Sequence, residues 1–169
     1  MLRILNITAP DICNGSGCRI TLWVAGCKHH CKGCQNEWTW NFNQGKIYKE
    51  NKDEILNEIT SWLDKPYIKG ITLSGGDPLC QDNEGIDEMI SLINYIRKNY
   101  PSKDIWMYTG YVYEEAIKDQ HRKELIDLVD YLVDGPFILE KRDIVHYAFR
   151  GSENQRILNI KEMRENEKD

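Results

Sequence analysis

The stretch RITLWVAGCKHHCKGC, Arg19 to Cys34, runs from an apolar segment straight into three closely spaced cysteines. Arg19 to Val24 is rich in β-branched and aromatic residues and reads as a strand. Ala25 to Asn36 has no apolar period and reads as a loop. The same grammar recurs along the chain. Gly70 to Ser74 is a short apolar strand stopped by Gly75, Gly76, Asp77 and Pro78. Asp104 to Tyr108 is another, closed by Thr109 and Gly110. Tyr131 to Val133 ends at Asp134, Gly135 and Pro136, and Arg156 to Ile160 reads as a last strand. Helical spacing fills the gaps. It appears over Asn51 to Leu63, over Asn83 to Tyr100 (Ile86, Met89, Ile90, Ile93 and Ile96 on one face, Pro101 at the end), and over Glu114 to Leu128. Strands alternating with helices predict an α/β fold with a parallel sheet. A complete eight-fold barrel needs about 250 residues, so the chain suffices for part of one or for an open doubly wound sheet. Either architecture gathers function at the C-terminal ends of the strands, where the cysteine loop and the glycine turns fall.

Composition bounds the class. The 169 residues fit a single domain, with 41% apolar and 29% charged side chains. The longest apolar run, Ile20 to Cys27, is far short of the roughly 18 residues of a membrane helix. No signal-peptide pattern is present, and the expected compartment is the cytoplasm. A net charge of −5 argues against nucleic acid as a partner. The mixed charges of Lys161 to Asp169 suggest a frayed, solvated tail. Six cysteines in a reducing compartment point to metal or redox chemistry rather than disulfides, and five of them lie between Cys13 and Cys34.

Cys27, Cys31 and Cys34 have the spacing C-x3-C-x2-C. Three thiolates on one short loop reach a common centre without long-range closure entropy, and iron–sulfur clusters favour thiolate ligands. Three ligands on a four-iron cluster leave one iron open for chemistry. Other readings of the same residues are a zinc ion completed by His29 or His30, an electron carrier recruiting Cys13, Cys18 or Cys80, and unliganded core thiols. The last suits poorly a loop that also holds Lys28 and Lys32.

The chain resembles the radical S-adenosylmethionine superfamily, whose signature is this cysteine spacing after the first barrel strand. Gly33 replaces the aromatic residue usual before the third cysteine, as in the activating proteins of the anaerobic ribonucleoside-triphosphate reductases. The likeness to that group continues through Asn14, Gly15 and Gly17; Gly26; Gln35 and Asn36; Thr39 and Trp40; Leu73 to Leu79; Trp106 with Tyr108 to Tyr111; Val133 to Gly135; Arg150 to Ser152; and Asn154 with Gln155. It implies an incomplete parallel (β/α) barrel and a 4Fe-4S cluster on Cys27, Cys31 and Cys34. It also implies S-adenosylmethionine held near Gly33, Cys34, Gln35, Gly75, Gly76, Asp77, Tyr108 and Thr109. The implied reaction is reductive cleavage to a 5′-deoxyadenosyl radical, which takes hydrogen from a glycine of the large reductase subunit. The electron would come from a donor such as flavodoxin, and no side chain is needed as an acid–base catalyst.

Several motifs have plainer readings beside these. Gly75 to Pro78 is also an ordinary strand-to-helix turn, and Trp106 and Tyr108 are also plain core aromatics. Asp134 and Gly135 occupy the equivalent place one strand later. Arg150 to Arg156 is dense in hydrogen-bond donors and suits a loop that closes the site or meets the partner. His29 and His30 serve loop polarity or outer tuning of a cluster. Cys13, Cys18 and Cys80 read as small buried residues. The competing functions are a small radical enzyme acting on a metabolite, of the carboxy-deazaguanine synthase kind, and a zinc-binding or electron-carrying module.

Overall fold

The computed structural model describes residues 1–143 and 145–169. β1 (Arg3–Asp11) and β2 (Arg19–Val24) are followed by the short β3 (Lys46–Ile47), α1 (Lys52–Leu63), β4 (Gly70–Gly75) and α2 (Asn83–Asn99). Then come β5 (Asp104–Tyr108), α3 (Tyr113–Ala116), α4 (Gln120–Ile126), β6 (Tyr131–Asp134), β7 (Arg156–Asn159) and α5 (Ile160–Asn166). One seven-stranded sheet runs β3-β1-β2-β4-β5-β6-β7. Its middle four strands, β2, β4, β5 and β6, are parallel, as their near-continuous apolar runs predict.

The outer strands are antiparallel, which corrects the all-parallel expectation. For β1 and β2 the cause is connection length. A parallel pairing needs a crossover of about a dozen residues or more, and Ile12–Cys18 between β1 and β2 is too short for one. β1 is not among the strands expected from the sequence, and it carries Pro10 near its end. Pro10 is tolerated because β3 covers only Arg3 and Ile4, leaving the rest of β1 as an edge. The helix expected from Glu114 to Leu128 is broken into α3 and α4. Asp119 causes the break by accepting from Arg122 N at 3.0 Å, which starts a new helix. The segment read as a frayed tail is helical through Asn166, begun by the Asn159 side chain and anchored by buried Ile160. Beyond Ile160 it is largely solvated, as its charges suggest.

The parallel register aligns the strand ends. Val24 lies beside Gly75, Leu73 beside Met107, and Tyr108 beside Val133, so the loops after β2, β4, β5 and β6 open on one edge. At the opposite edge Arg19, with no exposed surface, holds the strands together. Its guanidinium donates to Thr72 Oγ1 (2.8 Å), Ser16 O (2.7 Å), Ile71 O (3.1 Å) and Asp104 Oδ1 (2.6 Å). It thereby ties the β1–β2 loop to both β4 and β5.

At the functional edge, Gly76 packs directly on the backbone of Gly26. An added Cβ would stand 2.3 Å from the Gly26 carbonyl oxygen. Asp77 N donates to that same oxygen at 2.8 Å, which locks the two loops together. A glycine expected to admit a ligand is therefore required first by the chain itself.

Two consequences are open to measurement. Arg19→Met is expected to lower stability in urea unfolding by about 2–3 kcal/mol, because it strands a partly buried carboxylate. A loss below about 1 kcal/mol would show that the ties from Arg19 are replaceable. Gly76→Ala is expected to cost about 2 kcal/mol through overpacking against main chain that cannot rotate away.

Candidate functional site

The loops after β2, β4 and β5, together with the segment between β6 and β7, enclose a cavity of about 700 Å³. That size lies within the range of small-molecule and cofactor sites. Cys27, Cys31, Cys34, Gln35, Gly75, Gly76, Asp77, Tyr108 and Thr109 all line it. Of the residues expected to bind a cofactor, only Gly33 stands outside the lining, turned toward the Leu139 side chain.

The cysteine loop is held from both sides. Gly26 N donates to Thr39 O (2.7 Å) and Cys27 N to Trp40 O (3.2 Å), while Cys34 N donates to Cys31 O (3.1 Å). His30 adopts a left-handed backbone (φ 47°) and stacks on Trp40, with ring centroids 4.5 Å apart. These ties turn the three sulfurs toward the cavity and leave Lys28, His30 and Lys32 in solvent.

The sulfur spacing bears on what they can hold. Among the described residues, one trio of Cys, His, Asp or Glu has donor atoms within 4.8 Å of one another: Cys27, His29 and Cys80. Cys27, Cys31 and Cys34 are thus spread more widely than a single tetrahedral ion requires. That spread suits a cluster, in which each thiolate takes a different iron. Three thiolates on one loop lining one cavity fit the donor chemistry of an iron–sulfur cluster.

Asp77 is 1% exposed and organises the whole edge. Its Oδ1 accepts from Leu79 N at 2.8 Å. Its Oδ2 accepts from Thr109 Oγ1 (2.9 Å) and Gly110 N (2.8 Å), and meets His29 Nε2 at 2.7 Å. One carboxylate therefore joins the loops after β2, β4 and β5. It also raises the pKa of His29 above the usual imidazole value. Gly110 is obligatory for this arrangement, since an added Cβ would stand 2.5 Å from the His29 ring. Both oxygens of Asp77 are engaged by the protein, although the residue still lines the cavity.

Tyr108 and Thr109 also do more structural work than expected. The Tyr108 hydroxyl donates to Phe149 O at 2.7 Å, and burial pushes its pKa well above the ordinary phenol value. It thus remains a neutral donor that holds the far wall of the cavity. That wall comes from the segment after β6. Arg150, Gly151 and Gln155 line the cavity, and Gln155 braces it by accepting from Gly151 N (2.8 Å) and donating to Gly135 O (3.0 Å). The turn is both self-bonded and part of the enclosure. Asp134 is not in the lining; it is buried under Arg156 and accepts from Tyr113 N at 2.8 Å.

The sequence reading missed the aromatic wall of Trp23, Trp40, Phe137, Tyr147 and Phe149. These residues have no common period; Trp23 falls in a predicted strand and Trp40 in the family likeness, but neither marks a cavity wall by spacing. Cys13 is exposed at the cavity rather than buried, whereas Cys80 is buried as expected. Cys80 also has an unexpected neighbour. Its sulfur lies within 4.8 Å of the Cys27 sulfur, and the pairing of the two draws the Cys27 thiol below its ordinary pKa and pushes that of Cys80 up.

Comparison with known proteins agrees with this geometry. Residues 13–158 match the family model described as a 4Fe-4S single cluster domain. An anaerobic ribonucleoside-triphosphate reductase-activating protein of Enterobacteria phage T4 is 41% identical over 147 residues, covering 87% of each chain. The protein of that name from Escherichia coli K12 is 42% identical over 146 residues, covering 86% of this chain and 90% of the relative. The one from Haemophilus influenzae is 38% identical over 161 residues, covering 95% and 99%. With cysteine loop, glycine turns and closing segment all inside the matched region, the chain belongs to the family of anaerobic ribonucleoside-triphosphate reductase-activating proteins, built on a 4Fe-4S single cluster domain.

Proposed function

We propose that the chain is a radical S-adenosylmethionine activase that generates a glycyl radical on the large catalytic subunit of an anaerobic ribonucleoside-triphosphate reductase. The observation that carries this reading is the convergence of Cys27, Cys31 and Cys34 with Gly75, Gly76 and Tyr108 on one 700 Å³ cavity. Cys27, Cys31 and Cys34 would hold the 4Fe-4S cluster, and the strand ends at Gly75 to Asp77 and Tyr108 to Thr109, with Cys34 and Gln35, would seat S-adenosylmethionine. When bound, these groups supply a one-electron cleavage that yields methionine and a 5′-deoxyadenosyl radical able to take hydrogen from a glycine Cα.

The chain's own residues supply position and enclosure. Asp77 clamps three loops so that sulfurs and glycine turns keep a fixed relation. Trp23, Trp40, Phe137 and Phe149 present apolar surface to the cavity and exclude water, which protects a reactive carbon radical from side reactions. Tyr108 fixes the Phe149 wall through one hydrogen bond. The open sheet with four parallel central strands supports reading the fold as an incomplete (β/α) barrel. An open side admits a protein loop, which suits a macromolecular substrate. A one-electron donor such as flavodoxin would meet the solvent face of the cysteine loop. Six free cysteines are consistent with a reducing cytoplasm. Among the described residues no helix is long and apolar enough to cross a membrane.

The reconstituted, reduced protein is expected to form 5′-deoxyadenosine from S-adenosylmethionine and, mixed with the reductase, to give a glycyl doublet in electron paramagnetic resonance. Deoxyadenosine without the doublet would send the search to another substrate. Replacing Cys27, Cys31 or Cys34 with Ala is expected to abolish cleavage, whereas Cys80→Ala keeps most of it. An active Cys31→Ala protein alongside a cluster-free Cys80→Ala protein would overturn the ligand set. Tyr108→Phe is expected to raise KM for S-adenosylmethionine about threefold to tenfold with kcat little changed, the size of one lost hydrogen bond.

A further inference from the structure

Cys80 and His29 lie against Cys27, yet neither belongs to the three-cysteine set assigned to the cluster. We propose that, when the cluster is absent, Cys27, His29 and Cys80 form a separate binding site for a single zinc-like divalent ion.

The donor atoms of the three residues are within 4.8 Å of one another. A tetrahedral ion with Zn–S of about 2.3 Å and Zn–N of about 2.0 Å sets its donors about 3.5–3.8 Å apart. Small side-chain rotations therefore complete the site, and no backbone shift is needed. Lys28 N donates to Cys80 Sγ at 3.5 Å and holds that sulfur against the cysteine loop, within 4.8 Å of the Cys27 sulfur.

His29 is oriented as a metal-binding imidazole is. Its Nε2 is 2.7 Å from Asp77 Oδ2, the carboxylate–histidine pairing that fixes tautomer and ring angle in metal sites. With Nε2 engaged by the carboxylate, Nδ1 is the ring nitrogen left to bind an ion. The ring has little freedom to leave. Tyr111 packs edge-on against it at 4.6 Å between centroids, and Gly110 leaves room for nothing larger beneath it. Asp77 is itself immobilised by Leu79 N, Thr109 Oγ1 and Gly110 N. Three protein ligands leave a fourth position for water from the adjoining cavity.

The chemistry balances without an oxidant. The ion takes the thiolates of Cys27 and Cys80 and a ring nitrogen of His29; the two thiol protons, and the Nδ1 proton of any ring that is protonated, pass to solvent. Two soft sulfurs and one imidazole nitrogen select zinc over magnesium or calcium. Cys27 serves both this ion and, on the reading proposed above, the cluster. The two occupants therefore exclude each other, and zinc in the cluster-free chain blocks cluster assembly until it is removed.

The test uses the full chain, iron-free and thiol-reduced under anaerobiosis, titrated with cobalt(II) as a visible probe and then with zinc. Expected are one cobalt per chain with the intense absorption of a tetrahedral sulfur-ligated ion, and its displacement by one equivalent of zinc. Cys80→Ala and His29→Ala are each expected to weaken binding at least about tenfold, while Cys31→Ala and Cys34→Ala leave it within about twofold. Far-ultraviolet circular dichroism establishes that each variant is folded, and Cys80→Ser replaces Cys80→Ala if that variant is not. Zinc-loaded wild type is expected to take up no cluster from iron and sulfide, while Cys80→Ala does so with zinc present. Cobalt binding that survives Cys80→Ala, or that is lost in Cys31→Ala, would overturn the site and put the ion on the loop triad. The cluster reading is tested apart from this, by iron and sulfide uptake of Cys31→Ala without zinc.

Discussion

The functional edge depends on one buried carboxylate. Asp77 has almost no contact with water, and an unpartnered charge there would be prohibitively costly. The cost is met by four donors drawn from three loops: His29, Leu79, Thr109 and Gly110. Removing any one weakens the others, because they share two oxygens in a low-dielectric setting. The loops after β2, β4 and β5 are consequently one unit rather than three neighbours. The spacing of the sulfurs relative to the glycine turns follows from that unit.

The two ends of the parallel strands are secured by opposite charges. Arg19 gathers the N-terminal ends with five-donor geometry, and Asp77 gathers the loops at the C-terminal ends. Between them the strands need only apolar side chains, which accounts for the unbroken burial of β4. The antiparallel additions at both edges fall outside this system, and their own links differ. β7 is coupled to β6 through Arg156 and Asp134, which keeps the cavity's closing segment in register with the sheet.

Much of this was legible in the sequence where a signal was local. The strand Arg19–Val24, the helix from Asn83 and the turn after Tyr108 announce themselves by period and by stopping residues. The cysteine spacing and the glycine turns likewise mark the cavity in the sequence itself. What stayed hidden was long-range. That Asp77 spends its carboxylate on His29, 48 positions away, leaves no trace in spacing. That Gly76 is demanded by Gly26 rather than by a ligand needs the two loops brought together first. The contact of Cys80 with Cys27 is of the same kind, and so is the aromatic wall. The broken helix at Asp119 was readable in principle, because an aspartate inside a helical pattern competes as a cap.

The loop from Cys27 to Cys34 is a single layer of backbone, with sulfurs on its inner side and Lys28, His30 and Lys32 on its outer side. A cluster held there is separated from bulk solvent by the thickness of one chain. Such a wall is short enough for an electron to tunnel through without a relay. It offers equally little obstruction to dioxygen. On the proposed placement of the cluster, sensitivity to air would be the geometric counterpart of ready reduction, and a thicker loop would lessen both.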